Sequence, residues 1–149
     1  KAHFRAIRAE FGDDVDVVTV RHQGDVVASV MNYYFRDQVL PFYGGGISAA
    51  RELAANDFMY WEVMRRAVER GCRLFDFGRS KVDTGSYSFK KHWGFEPQPL
   101  SYEYHLVRAT QIPDLNPNNP KYRVFINAWK RLPIGVSRMI GPWLAKGLA

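Results

Sequence analysis

Two adjacent lysines, Lys90 and Lys91, close an aromatic run in "SYSFKKHWGF", and an aspartate, Asp76, stands between two phenylalanines in "LFDFGRS". On a helix, Tyr87, Lys90 and Lys91 project together at i, i+3 and i+4, while Phe89 and Trp93 form the apolar face that anchors it. An ammonium so placed can stabilise a developing oxyanion or neutralise a phosphate; the same pair also reads as a solvated basic face. A carboxylate in an apolar strand must be paired or hydrogen-bonded, with Arg79 or a nearby lysine as the expected partner. It then either positions a cationic or amide group at the strand end or fixes the loop after Gly78. Gly44, Gly45 and Gly46 permit positive φ and close backbone approach, which offers N–H groups to a phosphate or carbonyl, or simply bends the chain. Asn56 or Asp57 reads as the cap of the following helix, whose N-terminus suits an anion. His3, His22, His92 and His105 lack metal-ligand spacing, and no Ser/His/Asp or Cys/His nucleophile motif is present, so no metal is assigned.

The elements that must hold these groups are legible from periodicity. Phe4, Ile7 and Phe11 mark a short opening helix ended at Gly12. "VDVVTVRH", "VVASVMNYYF" and "QVLPFY", separated by Gln23-Gly24-Asp25 and Arg36-Asp37, read as three strands of an antiparallel meander. A glycine-led connection enters a strong helix, "FMYWEVMRRAVERG", with an expected apolar stripe of Tyr60, Trp61, Met64, Ala67 and Val68 and a stop at Gly71. "RLFDFG" reads as a short buried strand, "SYSFKKHW" as a helix stopped at Gly94, and "LSYEYHLV" as a final alternating strand. Beyond Arg108, "IPDLNPNNP" reads as a linker or extended arm, followed by two amphipathic helical segments.

At 149 residues, 46% hydrophobic and 15% aromatic, the chain has enough apolar material for one domain with a substantial core and too little length for two ordinary ones. Its net charge of +6 suits an anionic partner such as a phosphate-bearing cofactor, RNA or an acidic membrane surface. Cys72, the single cysteine, excludes an internal disulfide and fits a buried thiol in a reducing compartment. No run reaches the ~18 apolar residues of a membrane span and no secretory signal heads the chain, so a cytoplasmic protein is expected. In the tail, Trp129, Leu132, Ile134, Met139, Ile140, Trp143 and Leu144 interleave with Lys130, Arg131, Arg138 and Lys146. That mixture fits peripheral contact with an anionic inner-membrane surface, or packing against protein.

The order α-β-β-β-α-β-α-β resembles the GNAT acyltransferase fold, and within it the FemAB-like branch. The residues that carry the resemblance are "FYGGG", Asn56, Trp61-Glu62, "FDFG" and "SFKKHWGF", in order over residues 39–95. The chain is also similar to FemAB-related proteins that accompany exosortase (PEP-CTERM) and exopolysaccharide systems. The resemblance implies an α+β fold with a mostly antiparallel central sheet flanked by helices and a C-terminal helical tail. The GNAT-like domain is expected over residues 1–108 and the linker with its tail over 109–149. Because FemAB enzymes hold two such folds in tandem, it further implies that this is the C-terminal fold of a longer protein with another domain ahead of it.

The chemistry this implies is acyl or aminoacyl transfer to an amine by direct attack on the donor carbonyl, with acyl-CoA or aminoacyl-tRNA as donor. The acceptor is expected to be a small-molecule, peptide or glycan-precursor amine. Lys90, Tyr87 and Asp76 are the expected catalytic set, and Tyr43, Gly44, Gly45, Gly46, Asn56, Arg79 and Lys91 the donor-binding set. Two features differ from the usual GNAT pattern. "YGGGISAARELAAND" does not follow the Gln/Arg-x-x-Gly-x-Gly/Ala pyrophosphate loop, and Lys90 occupies a place where many members carry a tyrosine acid. A non-catalytic module for a carbohydrate precursor or partner protein, and an RNA-binding domain favoured by charge alone, are the other readings.

Overall fold

The computed structural model describes residues 2–108, 110–112 and 120–145, which fall into two compact units, Lys1–Phe95 and Glu96–Ala149. The expected division at 108/109 and the proline-bearing segment 113–119 lie outside the described residues.

The first unit is α+β. Helix α1 (Ala2–Phe11) leads through a single 3₁₀ turn into strands β1 (Val15–His22), β2 (Asp25–Phe35) and β3 (Gln38–Gly46). These pair antiparallel in sequence order, as the alternation predicts. Two-residue turns set the register: Gln23 and Gly24 both have positive φ, +50° and +91°, the geometry that matches strand twist in a tight hairpin. Two bulges break the ladder. One leaves Val27 as the extra residue of β2, so that Val27 and Ala28 are both buried in succession. The other inserts Phe42 between Pro41 and Tyr43 of β3, beside the proline that a regular central strand would not accept.

Strand β3 continues through Gly44, Gly45 and Gly46, which pair with Val30, Ser29 and Ala28. The glycine triplet is therefore extended strand and not the positive-φ bend expected from composition. Gly46 is required sterically: a Cβ there would lie 2.8 Å from the Ala50 Cβ and 3.1 Å from the Val27 carbonyl oxygen. That close approach seats the short helix α2 (Ala49–Glu52) against the strand end.

Helix α3 (Ala55–Glu69) covers one face of the sheet. Its buried line is Ala55, Met59, Val63 and Ala67, which joins Val18, Val30, Tyr34 and Val39 in the core. This corrects the expected stripe: Trp61 is 50% and Val68 73% exposed, and only Tyr60 and Ala67 of the predicted set pack inward. The helix carries two apolar arcs on different sides, and burial selects the one bearing small residues at both ends, which lets the backbone close on the sheet. Full burial of each Val or Met here contributes roughly 1.5–3 kcal/mol. The end at Gly71 is as expected: with φ +80°, Gly71 donates to Val68 and Cys72 to Ala67, the paired bonds of a Schellman stop. The start is not, because the position before the helix is Ala54 in the left-handed region, and Asn56 lies inside the first turn without capping.

After α3, β4 (Leu74–Phe75) pairs parallel with β3 for two residues, and α4 (Gly85–His92) follows with Thr84 accepting from the Tyr87 N–H as its cap. The alternating segment 100–107, expected as a last strand, forms no ladder. In the second unit α5 (Pro120–Arg131) and α6 (Ile134–Ala145) are joined by a tight turn at Leu132 and Pro133, and the Trp129 ring lies against Gly141.

Candidate active site

The sheet opens where β3 and β4 part. Gln38 pairs with Leu74 and Val39 with Phe75, and the Asp76 N–H still reaches the Val39 carbonyl at 2.9 Å. There the second strand turns away: Gly78 takes φ +66° and donates its N–H to Asp76 Oδ1 at 2.7 Å, a local turn held by the carboxylate. Gly78 rests on Leu40, where an added Cβ would meet the Leu40 Cδ1 at 3.5 Å. Beyond that point no strand among the described residues pairs with the outer edge of β3, and Phe42 through Gly46 are exposed. A strand edge bearing three glycines leaves backbone donors and acceptors open to close approach by an extended ligand.

Lys90 reaches this loop from α4. Its Nζ donates to the carbonyls of Gly78 at 3.1 Å and Arg79 at 3.2 Å. Burial lowers its affinity for a proton below that of an ordinary lysine, and the nearby Asp76 carboxylate partly offsets the effect. The half-buried Lys90 is thus neither a freely solvated lysine nor a direct partner to a carboxylate oxygen. Lys91 is exposed, with its ammonium 5.9 Å from the centre of the Tyr87 ring.

Asp76, Arg79 and Lys90 of the expected site meet around one turn, and Tyr87 and Lys91 lie on the helix that delivers Lys90. Gly44, Gly45 and Gly46 line the open edge. Tyr43 departs from the set: its hydroxyl is 3.2 Å from His3 Nε2 and its ring packs edge-on against Phe4, so only its backbone faces the edge. Asn56 stands at the uncapped start of α3, whose first turn also holds Asp57. Free N–H groups there favour an anion while the Asp57 carboxylate opposes one.

The Asp76 loop is fixed by aromatics. Tyr60 stacks on Phe77 with centroids 5.5 Å apart, and Phe75, Phe89 and Phe95 complete the cluster. This explains "FDF": alternate residues pack on α3, and the aspartate turns the other way. The Trp61-Glu62 pair has a different role. Trp61 stacks on Phe58 at the surface, and Glu62 accepts from Arg65 and Arg66, whose hydrogen bonds hold its carboxyl down to about 2.

One polar cluster escaped the sequence reading. Asn32, fully buried in β2, donates to Asp16 Oδ1 at 2.7 Å, and the Tyr34 hydroxyl donates to Asp16 Oδ2 at 3.0 Å. The Arg70 guanidinium lies 3.6 Å over the Tyr34 ring. Burial and the Asp16 carboxylate raise the Tyr34 phenol to about 12. An asparagine inside the apolar run "VVASVMNYYF" was the available signal. The His3–Tyr43 contact spans 40 residues and left none.

No curated protein is detectably similar in sequence. Among solved structures, the aminoglycoside N-acetyltransferase AAC(6')-Iy in complex with a CoA-S-monomethyl-acetylneamine bisubstrate analogue is similar, with a TM-score of 0.59 and 16% identity over 72% of this chain and 81% of that one. The same enzyme in complex with CoA gives 0.54 and 16%, over 72% and 92%. The ribosomal-protein-alanine N-acetyltransferase of Brucella melitensis biovar Abortus 2308 gives 0.56 and 12%, over 71% and 81%. At these identities the likeness concerns the fold. The family model described as "Acetyltransferase (GNAT) domain" matches residues 1–91, from α1 into α4 and therefore through the whole sheet and the Lys90 loop, and the chain belongs to the GNAT acetyltransferase family.

Proposed function

We propose that this chain transfers an acyl group from a coenzyme A thioester to an amine, binding the extended donor along the open edge of β3. The observation that carries the proposal is the parting of β3 and β4 after two paired residues, which leaves the glycine-bearing edge beyond Leu40 without a strand partner among the described residues. AAC(6')-Iy, which shares the fold, is known with CoA bound.

In the reaction the neutral amine attacks the thioester carbonyl, a C–N bond forms, the C–S bond breaks and the thiolate leaves. Negative charge collects first on the carbonyl oxygen and then on sulfur. Lys90 has three N–H donors and gives two to the Gly78 and Arg79 carbonyls, so one remains to meet that charge from a fixed position. Asp76 keeps the turn that supplies those carbonyls. The acceptor nitrogen loses a proton to solvent as the amide forms. Lys91 and Arg79 provide positive charge for donor phosphates.

The finer assignment, a FemAB-like transferase acting in cell-envelope or exopolysaccharide metabolism, rests on "FYGGG", Trp61-Glu62, "FDFG" and "SFKKHWGF". It makes the acceptor an amine of a peptide or glycan precursor and admits aminoacyl-tRNA as an alternative donor. The test is release of free thiol from acetyl-CoA and longer acyl-CoA thioesters against an amine panel, with deacylation of aminoacyl-tRNA in parallel. Amine-dependent thiol release is expected. Deacylation of aminoacyl-tRNA alone would replace the donor, and binding without turnover for every donor would make the chain a non-catalytic module.

A further inference from the structure

From residue 120 to 149 the sequence holds six basic residues, Lys121, Arg123, Lys130, Arg131, Arg138 and Lys146, and no aspartate or glutamate. Two described helices carry most of this segment. Their mutual contact is made by Trp129, whose indole lies 3.7 Å from where a Gly141 Cβ would sit, with Phe125 stacked on the same ring. That seam leaves a second apolar set outside it. Val136, Met139 and Trp143 follow at i, i+3 and i+7 on α6, and Met139 and Trp143 are 74% and 76% exposed; Val124 of α5 is exposed to a similar degree. Arg138 lies off that line on the helix surface.

We infer that this helical pair is an adsorption surface for an anionic lipid bilayer, lying in the headgroup region with the Met139–Trp143 face turned into it. Three features select this occupant. Charge of one sign complements anionic lipid. Exposed Met139 beside Trp143 gains from burial in hydrocarbon, whereas RNA bases would stack on the tryptophan ring alone. Each helix has 12 residues, about 18 Å of rise against a hydrocarbon core of about 30 Å, so the pair can lie on a bilayer and is too short to cross it.

The experiment is flotation of the full chain with vesicles of phosphatidylcholine alone and of phosphatidylcholine containing phosphatidylglycerol, at physiological salt. Flotation with the anionic vesicles only is expected. Replacing Lys130→Gln and Arg131→Gln together should weaken partitioning about 30-fold, and Met139→Ser with Trp143→Ser about tenfold or more. Quenching of the unsubstituted protein's tryptophan emission by brominated anionic lipid gives the same answer should the serine variant lose helicity. Absence from both vesicle types would overturn the inference. So would flotation that ignores the Met139 and Trp143 changes with no quenching, which is charge attraction alone. Loss of vesicle binding to equimolar tRNA, or a dimer that the Trp143→Ser change makes monomeric, would assign the face to another partner and equally overturn it.

Discussion

The Lys90 ammonium lies 3.1 Å from the Gly78 carbonyl oxygen, on the turn where β4 leaves β3. Read from sequence as a donor to an oxyanion or phosphate, or else as part of a solvated basic face, Lys90 ties α4 to this turn through the Gly78 and Arg79 carbonyls. Lys90→Ala should therefore do two things. Removing the positioned donor should lower single-turnover transfer by ~10²–10³. Losing the two carbonyl bonds, both near solvent, should reduce unfolding free energy by about 0.5–1.5 kcal/mol in urea. Lys91→Ala is the control: it should leave stability and the chemical step nearly unchanged and raise the donor KM modestly, more so at low salt.

Gly45 and Gly46 separate ligand approach from packing. A Cβ on Gly46 would collide with Ala50, so Gly46→Ala should cost about 1–3 kcal/mol, read as a lowered urea midpoint. A Cβ on Gly45 meets nothing within 4 Å, so Gly45→Ala should fold normally. If the donor lies along this edge, that methyl group obstructs it, and the donor KM should rise severalfold with stability intact. An unchanged KM would place the donor elsewhere.

The buried line of α3 predicts unequal costs for neighbouring methionines. Met59 is 1% exposed, and Met59→Ala should destabilise by about 2–5 kcal/mol. Met64 lies on the other arc, partly exposed, and Met64→Ala should cost under about 1 kcal/mol. Equal losses in chemical denaturation would mean that the helix is rotated from the described orientation.

Tyr34 sets a stability slope in strong alkali. Its phenol is raised from 10.0 to about 12 in the folded protein by burial and by Asp16. The folded state then holds a proton that the unfolded chain releases, so the contribution is complete below pH 10 and is lost as pH rises through about 12. Unfolding free energy should fall more steeply across that window in the unsubstituted protein than in Tyr34→Phe.

Sequence revealed the scaffold better than the site. Strands β1 to β3 were legible because β-branched residues alternate and the turns between them are two residues long. Helix α3 and its stop at Gly71 were equally clear, but its inward face was not, since Met59-Val63 and Trp61-Val68 are both plausible stripes until a sheet chooses between them. Three glycines carry no alternation, so extended strand and loop look alike in "GGG". Pro41 hints at the bulge but does not fix its position at Phe42, which places Phe42 and Tyr43 side by side, rings 4.7 Å apart. Lys90 stood out in the sequence by its charge, but its acceptors are backbone carbonyls, which charge patterns do not show. Segment 100–107 alternates as a strand should and forms none, because alternation supplies a face without supplying a partner.

The most direct test of the open-edge account is a titration of the isotopically labelled chain with coenzyme A, followed by backbone amide resonances. Saturable shifts of the Gly44, Gly45 and Gly46 amides, together with those of Gly78 and Arg79, are the predicted result. Saturable binding that leaves these amides unmoved and shifts only the basic helices around Lys130 and Arg131 would contradict it.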